Sequence, residues 1–168
     1  MRAFGAVWGV TGVILLLASA VYRLFNTALG ALSSHWLWYH WVFLLFVIVF
    51  MAYAEGYRAF QQRFSPRVAA RAKYLMNHPG FFRFIAAPIF CMGFFHATKK
   101  RKITSISVTA GIVILIILVR AVPQPWRGII DLGVVVGLTW GIVSIIFFSM
   151  QAFSSKTFHY SPDVPEEG

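Results

Sequence analysis

The stretch that decides the fold class is residues 36–54, WLWYHWVFLLFVIVFMAYA. It contains no lysine, arginine, aspartate or glutamate, and His40 is its only histidine. A bilayer core is about 30 Å thick and an α-helix rises about 1.5 Å per residue, so about 20 apolar residues cross it. Because hydrocarbon cannot bond to backbone polar groups, such a stretch crosses as a helix. The sequence therefore predicts a transmembrane helix at 36–54.

Three further stretches are comparably long and apolar, at residues 3–22, 103–122 and 129–153. The whole chain is 59% hydrophobic and 12% charged, with a mean hydropathy of +0.72. Soluble domains are about half apolar and about a quarter charged. We therefore predict an all-α integral membrane protein, with one four-span domain over residues 1–160 and a flexible cytoplasmic tail at 161–168.

A fifth apolar segment at residues 81–97 is shorter and is interrupted by Arg83, Pro88 and Gly93. If this segment does not cross the membrane, 12 of the 15 Lys and Arg residues lie on one side; if it crosses, 9 do. Positive charge concentrates on the cytoplasmic side, which favours the first arrangement. We predict a re-entrant or interfacial segment, both termini in the cytoplasm, and a bacterial inner membrane location. The residues that mark this segment are Pro88, Cys91, Gly93 and His96.

The segment after span two predicts an amphipathic helix at residues 66–77 on the cytoplasmic side. Ser65 and Pro66 are typical of a helix start, and apolar and basic residues then occupy opposite faces. We expect this helix to lie on the membrane, with anionic headgroups as its partners. The predicted headgroup contacts are Arg67, Arg71, Lys73, Lys99, Lys100, Arg101 and Lys102. The last four also fit a cluster that only fixes topology. The net charge of +10 is thus assigned to lipid and not to nucleic acid.

Glycines recur at intervals of four in two spans. Gly133, Gly137 and Gly141 share a face of span four, and Gly5 and Gly9 repeat the pattern in span one. Without side chains, helix backbones approach closely and gain van der Waals contact. The pattern predicts packing of span four either on span one or on a second copy in a homo-oligomer.

Two acidic residues lie within or beside the spans. Glu55 is expected at the cytoplasmic end of span two, paired with Arg58 one turn away. Asp131 is expected at the outer start of span four, within reach of Arg120 or Arg127; Asp131 with Arg120 is the first choice for a polar pathway. On this interpretation no acid lies near the membrane midplane, which argues against ion-coupled transport.

No residue pattern predicts catalysis, a metal site or a cofactor. Cys91 and His96 would lie about 140° apart around a helix, so they would not face each other. The sequence favours a channel-like or transport-associated oligomer without covalent chemistry. An accessory or assembly subunit that binds lipid or a larger membrane partner is the alternative, and a lipid-modifying membrane enzyme is the third possibility.

Overall fold

The computed structural model describes residues 2–31, 33, 35–77, 85–94, 99–155 and 159–162. The helices in chain order are α1 (Arg2–Ala31), α2 (Trp38–Met51), a π-helix (Ala52–Phe64), α3 (Ser65–Asn77), α4 (Ala87–Met92), α5 (Lys99–Arg120) and α6 (Trp126–Ser154). Four helical stretches are long and apolar enough to cross a membrane. The predicted all-α fold with four membrane-crossing helices is confirmed.

The second of these stretches is one continuous helix from Trp38 to Asn77, made of α2, the π-helix and α3. We call it helix two. It runs parallel to α6: the Tyr39 ring stacks on Trp126 at one end, and Lys73 Nζ donates to the Ser155 carbonyl at the other. Between these contacts helix two uses 34 residues and α6 uses 29. The wider turns of the π-helix, which close i to i+5 hydrogen bonds, accommodate the extra residues.

Helix α1 runs antiparallel to α6. Ala31, at the end of α1, contacts Gly128 near the start of α6. At the opposite end of the bundle, Val10 and Val13 of α1 share a core with Ile145 of α6. The beginning of α1 and the end of α6 therefore lie together at one end of the bundle, which we call the terminal end. The end where Ala31 meets Gly128 is called the loop end.

The short helix α4 is wedged into the terminal end of the bundle. Side chains of α4 reach α1 at Gly9 and Gly12, where an added Cβ would overlap Cys91 or Pro88. These glycines lie about 10 to 15 Å along α1 from Arg2, compared with a half-bilayer of about 15 Å. Helix α4 thus lies beside α1 and not beyond its end. Gly93 ends α4 with a φ of 87°, a left-handed conformation that glycine adopts without strain.

Helix α3 forms where the sequence predicts a helix, and one of its turns is packed inside the protein. Ala69, Ala70, Arg71 and Ala72 are consecutive and all buried. Because one turn has 3.6 residues, four consecutive buried residues mean that this turn is covered on every side. Of the basic residues that the sequence assigns to lipid, Arg71 bonds to α4 and Lys73 bonds to the end of α6.

Helix α5 stands apart from this bundle. None of the residues in its most apolar 18-residue window is buried inside the protein. Large side chains such as Ile103, Ile112 and Leu118 are exposed along its length. In a bilayer these apolar side chains would contact lipid or another protein.

Candidate functional site

The glycine face of α6 packs against helix two. An added Cβ at Gly133 would lie 2.5 Å from Val47 Cγ1, and one at Gly141 would lie 2.6 Å from Phe60 Cδ1. We call this contact the glycine interface: Gly133, Gly137 and Gly141 of α6 with Val47, Met51, Glu55 and Phe60 of helix two. The glycines are therefore occupied within the chain, and their partner is helix two, not span one as the sequence analysis weighed. Gly5 is buried in α1, and Gly9 faces α4.

Helix two contributes a glycine of its own. Trp140 of α6 lies over Gly56, where an added Cβ would be 2.8 Å from Trp140 Cγ. Trp140 Nε1 also donates a hydrogen bond to Gln61 Oε1 at 2.8 Å. Small residues on both helices thus leave room for large ones opposite, and a polar contact joins them.

The π-helix explains which residues reach this interface. Glu55 and Phe60 both contact the α6 glycines, and Gly56 and Gln61 both contact Trp140. In an α-helix, residues five apart diverge by about 140°. In a π-helix they are joined by the i to i+5 hydrogen bond and lie near one face. The π-helix therefore turns Glu55 toward α6, where α-helical periodicity would not bring all four residues together.

The Glu55 carboxyl group lies over the backbone of α6. Its Oε2 atom is 2.8 Å from the position that a Cβ on Gly137 would occupy. Helix α6 has 29 residues, so it is about 43 Å long, and Gly137 is about 16 Å from its start. A 30 Å hydrocarbon core includes Gly137 wherever it is placed along this helix. The Glu55 carboxyl group is therefore within the depth of the bilayer core, deeper than the cytoplasmic end predicted from sequence.

Glu55 has no cationic partner among the described residues. The predicted pair with Arg58 does not form, and the Arg58 side chain is exposed. The Met51 carbonyl oxygen lies beside the same Gly137 position, 3.5 Å from an added Cβ. The sequence places Glu55 at the cytoplasmic end of span two; in the structure helix two continues past residue 54 as the π-helix, and Glu55 lies within it.

Asp131 lies near the loop end and is 4% exposed. Arg127 Nε is 3.8 Å from Asp131 Oδ2, one helical turn away. Arg120, at the end of α5, is exposed and makes no ion pair with Asp131. The pair that forms is thus Asp131 with Arg127, the second of the two predicted partners. His40 is buried nearby, with its ring 5.0 Å from that of Trp126.

Two of the basic residues assigned to lipid headgroups bind carbonyl groups of the chain. Arg71 is 2% exposed; its Nη1 donates to the Phe90 carbonyl at 2.6 Å, and its guanidinium is 4.8 Å from the Phe90 ring centroid. Lys73 donates to Ser155. The Ser155 carbonyl follows the last turn of α6, where carbonyls lack partners within the helix, whereas the Phe90 carbonyl accepts from both Arg71 and the Gly93 N–H. Arg67 is partly buried and Lys102 is exposed; the side chains of Lys99, Lys100 and Arg101 lie outside the described residues.

The residues of the predicted re-entrant segment pack into the core at the terminal end. Pro88 contacts Gly12, and Cys91 is 2% exposed. Burial raises the pKa of the Cys91 thiol to about 12, and the nearby charge of Arg71 partly opposes this rise. Gly93 caps α4, whereas His96 lies outside the described residues.

Comparison with known proteins gives no further guide to function. No protein-family model matches this chain, and no curated protein or solved structure is similar to it. Function is therefore argued from the geometry of the site. The arrangement that sequence reasoning missed is the Glu55 site. The sequence feature that accompanies this site is a spacing of five residues, which separates Glu55 from Phe60 and Gly56 from Gln61.

Proposed function

We propose that this small multi-span membrane protein is transport-associated, and that Glu55 at the glycine interface binds the ion that it moves. The observation that carries the proposal is the position of the Glu55 carboxyl group, within bilayer depth on Gly137 and without a cationic partner among the described residues. An ionisable group at this depth is costly, and such groups commonly line ion and proton pathways. We therefore assign ion binding to Glu55.

The surrounding helix geometry supports the same proposal. π-Helical turns are rare and occur frequently at functional sites, where they reorient side chains. Here the π-helix begins three residues before Glu55. Gly137 presents no side chain, so the carboxyl group reaches the polar backbone of α6. A residue that served only to fill space would not need a carboxyl group at this position.

A proton flux assay tests the proposal. Purified protein is reconstituted into liposomes that contain pyranine, and a potassium diffusion potential is imposed with valinomycin. We expect faster internal pH change than in protein-free liposomes, and loss of that difference in Glu55→Gln. Glu166→Gln is the matched control, because it makes the same substitution in the C-terminal tail.

Two results would contradict the proposal. One is a flux equal to that of protein-free liposomes, with correct folding verified by circular dichroism. The other is an undiminished flux in Glu55→Gln, which would place conduction elsewhere in the chain.

The exposure of α5 favours a second candidate function, as a subunit of an oligomer or a larger membrane complex. Besides α5, α6 carries an open apolar groove of about 480 Å³, lined by Val135, Val136, Thr139, Trp140 and Val143. Because the α6 glycines are occupied within the chain, association would use α5 or this groove.

Cysteine cross-linking in membranes tests for a second copy. In a Cys91→Ala background, Ile112→Cys on α5 is oxidised with copper phenanthroline, and Leu45→Cys on α2, which is also exposed, serves as the control. A dimer formed only through Ile112→Cys supports assembly along α5. Equal cross-linking of both variants would indicate random collision. A monomer in both cases would contradict self-assembly through α5.

A further inference from the structure

We infer that the ion bound at Glu55 is a proton, so that this side chain alternates between carboxylic acid and carboxylate within the membrane. The inference deepens the transport role proposed above and rests on it for its biological purpose. Its chemical test, however, needs no transport.

The ligands at the site argue for a proton over a metal cation. Hard cations take about six or more oxygen ligands when bound by protein. Glu55 is the only carboxylate of helix two, the only carboxylate of α6 is Asp131, which pairs with Arg127, and Gln61 Oε1 already accepts a bond from Trp140. Within the described part of the chain, no three metal-ligating side chains converge. A proton needs only one carboxylate oxygen.

The titratable groups on neighbouring elements leave Glu55 without a charge partner. Helices α2, α3 and α6 pack against the π-helix. The sequence of α6 contains two titratable side chains, Arg127 and Asp131, which lie 3.8 Å apart near the loop end and pair with each other. The others on these elements are Tyr39 and His40 of α2, Tyr53, Tyr57, Arg58 and Arg63 of the π-helix, and Arg67, Arg71, Lys73 and Tyr74 of α3. None of the described basic groups forms an ion pair with Glu55. With no fixed positive charge to stabilise the carboxylate, hydrocarbon surroundings tolerate the neutral acid better.

Dicyclohexylcarbodiimide, a lipid-soluble reagent, distinguishes the protonated acid directly. The carboxyl oxygen forms a bond to the central carbon of the carbodiimide, and the carboxyl proton moves to one of its nitrogens. The acyl group then migrates from oxygen to nitrogen and gives a stable N-acylurea. No group leaves, so the residue gains the mass of one reagent molecule.

The experiment labels the full-length protein in liposomes and locates the adduct by peptide mass spectrometry. We expect one adduct at Glu55, with labelling that falls as the pH is raised and is unaffected by sodium or potassium chloride. A water-soluble carbodiimide should modify the tail acids and leave Glu55 unmodified. Glu55→Gln should lose the adduct, whereas Glu166→Gln should keep it.

Absence of the Glu55 adduct in folded wild-type protein would overturn the inference, and this measurement requires no variant. Protection by sodium or potassium would also overturn it, because a bound metal cation would then compete with the reagent. An adduct at Glu55 without proton flux would support the proton site and contradict the transport role. If the flux depends on Glu55 but no adduct forms, the transport role would be supported and the proton site contradicted.

Discussion

At Gly137 the absence of a side chain allows a carboxyl group to lie on a helix backbone. Replacement by alanine would place a Cβ 2.8 Å from Glu55 Oε2 and 2.9 Å from Glu55 Cβ. Overpacking of this kind costs about 1 to 3 kcal/mol, against a gain of up to about 1 kcal/mol in helix propensity. We expect Gly137→Ala to lower thermal stability in detergent, measured by the melting of its circular dichroism signal.

Gly111 of α5 provides the matched control for this substitution. An added Cβ at Gly111 would meet no atom within 4 Å. Because only helix propensity changes there, Gly111→Ala should keep or raise the melting temperature, by up to about 1 kcal/mol of stability. If the two variants were equally destabilised, the contact with Glu55 would not be the cause of the loss at Gly137.

At the scale of elements, Arg71 holds α4 in the core through its bond to the Phe90 carbonyl. A hydrogen bond from a charged group contributes about 1.5 to 3 kcal/mol. Cys91, next to Phe90, is the only cysteine, is buried and has a pKa of about 12, so at pH 7.5 it presents almost no reactive thiolate. We expect wild-type protein to resist a membrane-permeant maleimide and Arg71→Ala to become labelled, as measured by intact mass.

Arg58→Ala is the control for Arg71→Ala, because it removes an exposed arginine from the same helix. It should leave Cys91 protected. Equal labelling of wild-type protein and Arg71→Ala would mean that apolar packing alone retains α4. Ready labelling of wild-type protein would contradict the buried position of Cys91.

The sequence predicted the elements that depend on local composition, and missed those that depend on packing. Span positions follow from hydropathy, whereas Ser65 and Pro66, which are typical of a helix start, lie inside the continuous helix two, where the π-helix gives way to α3. The burial of Arg71 was missed because it requires a carbonyl 19 residues away. The contact of Glu55 with α6 was not predicted because α-helical periodicity does not describe a π-helix, whose wider turns bring Glu55 and Phe60 to α6 together.

The whole molecule combines a packed bundle with a helix that stands apart from it. Helices α1, α3, α4 and α6 build one core at the terminal end, from Ala6 on α1 to Ile145 on α6. Helix α5 returns the chain from that end to the loop end with little contact on the way. If α4 is re-entrant, Lys102 at the start of α5 and Ser161 after α6 lie on the same side of the membrane, and Ser33 after α1 lies on the other.

Cysteine accessibility tests this topology in intact cells. The buried thiol of Cys91 gives a silent background, so Lys102→Cys, Ser161→Cys and Ser33→Cys can be made in the native sequence. The positive-inside count predicts that an impermeant maleimide labels Ser33→Cys from outside and labels the other two only after permeabilisation. Labelling of Lys102→Cys from outside would mean that the segment between helix two and α5 crosses the membrane. The chain would then have five crossings, with Lys99 to Lys102 on the outer side.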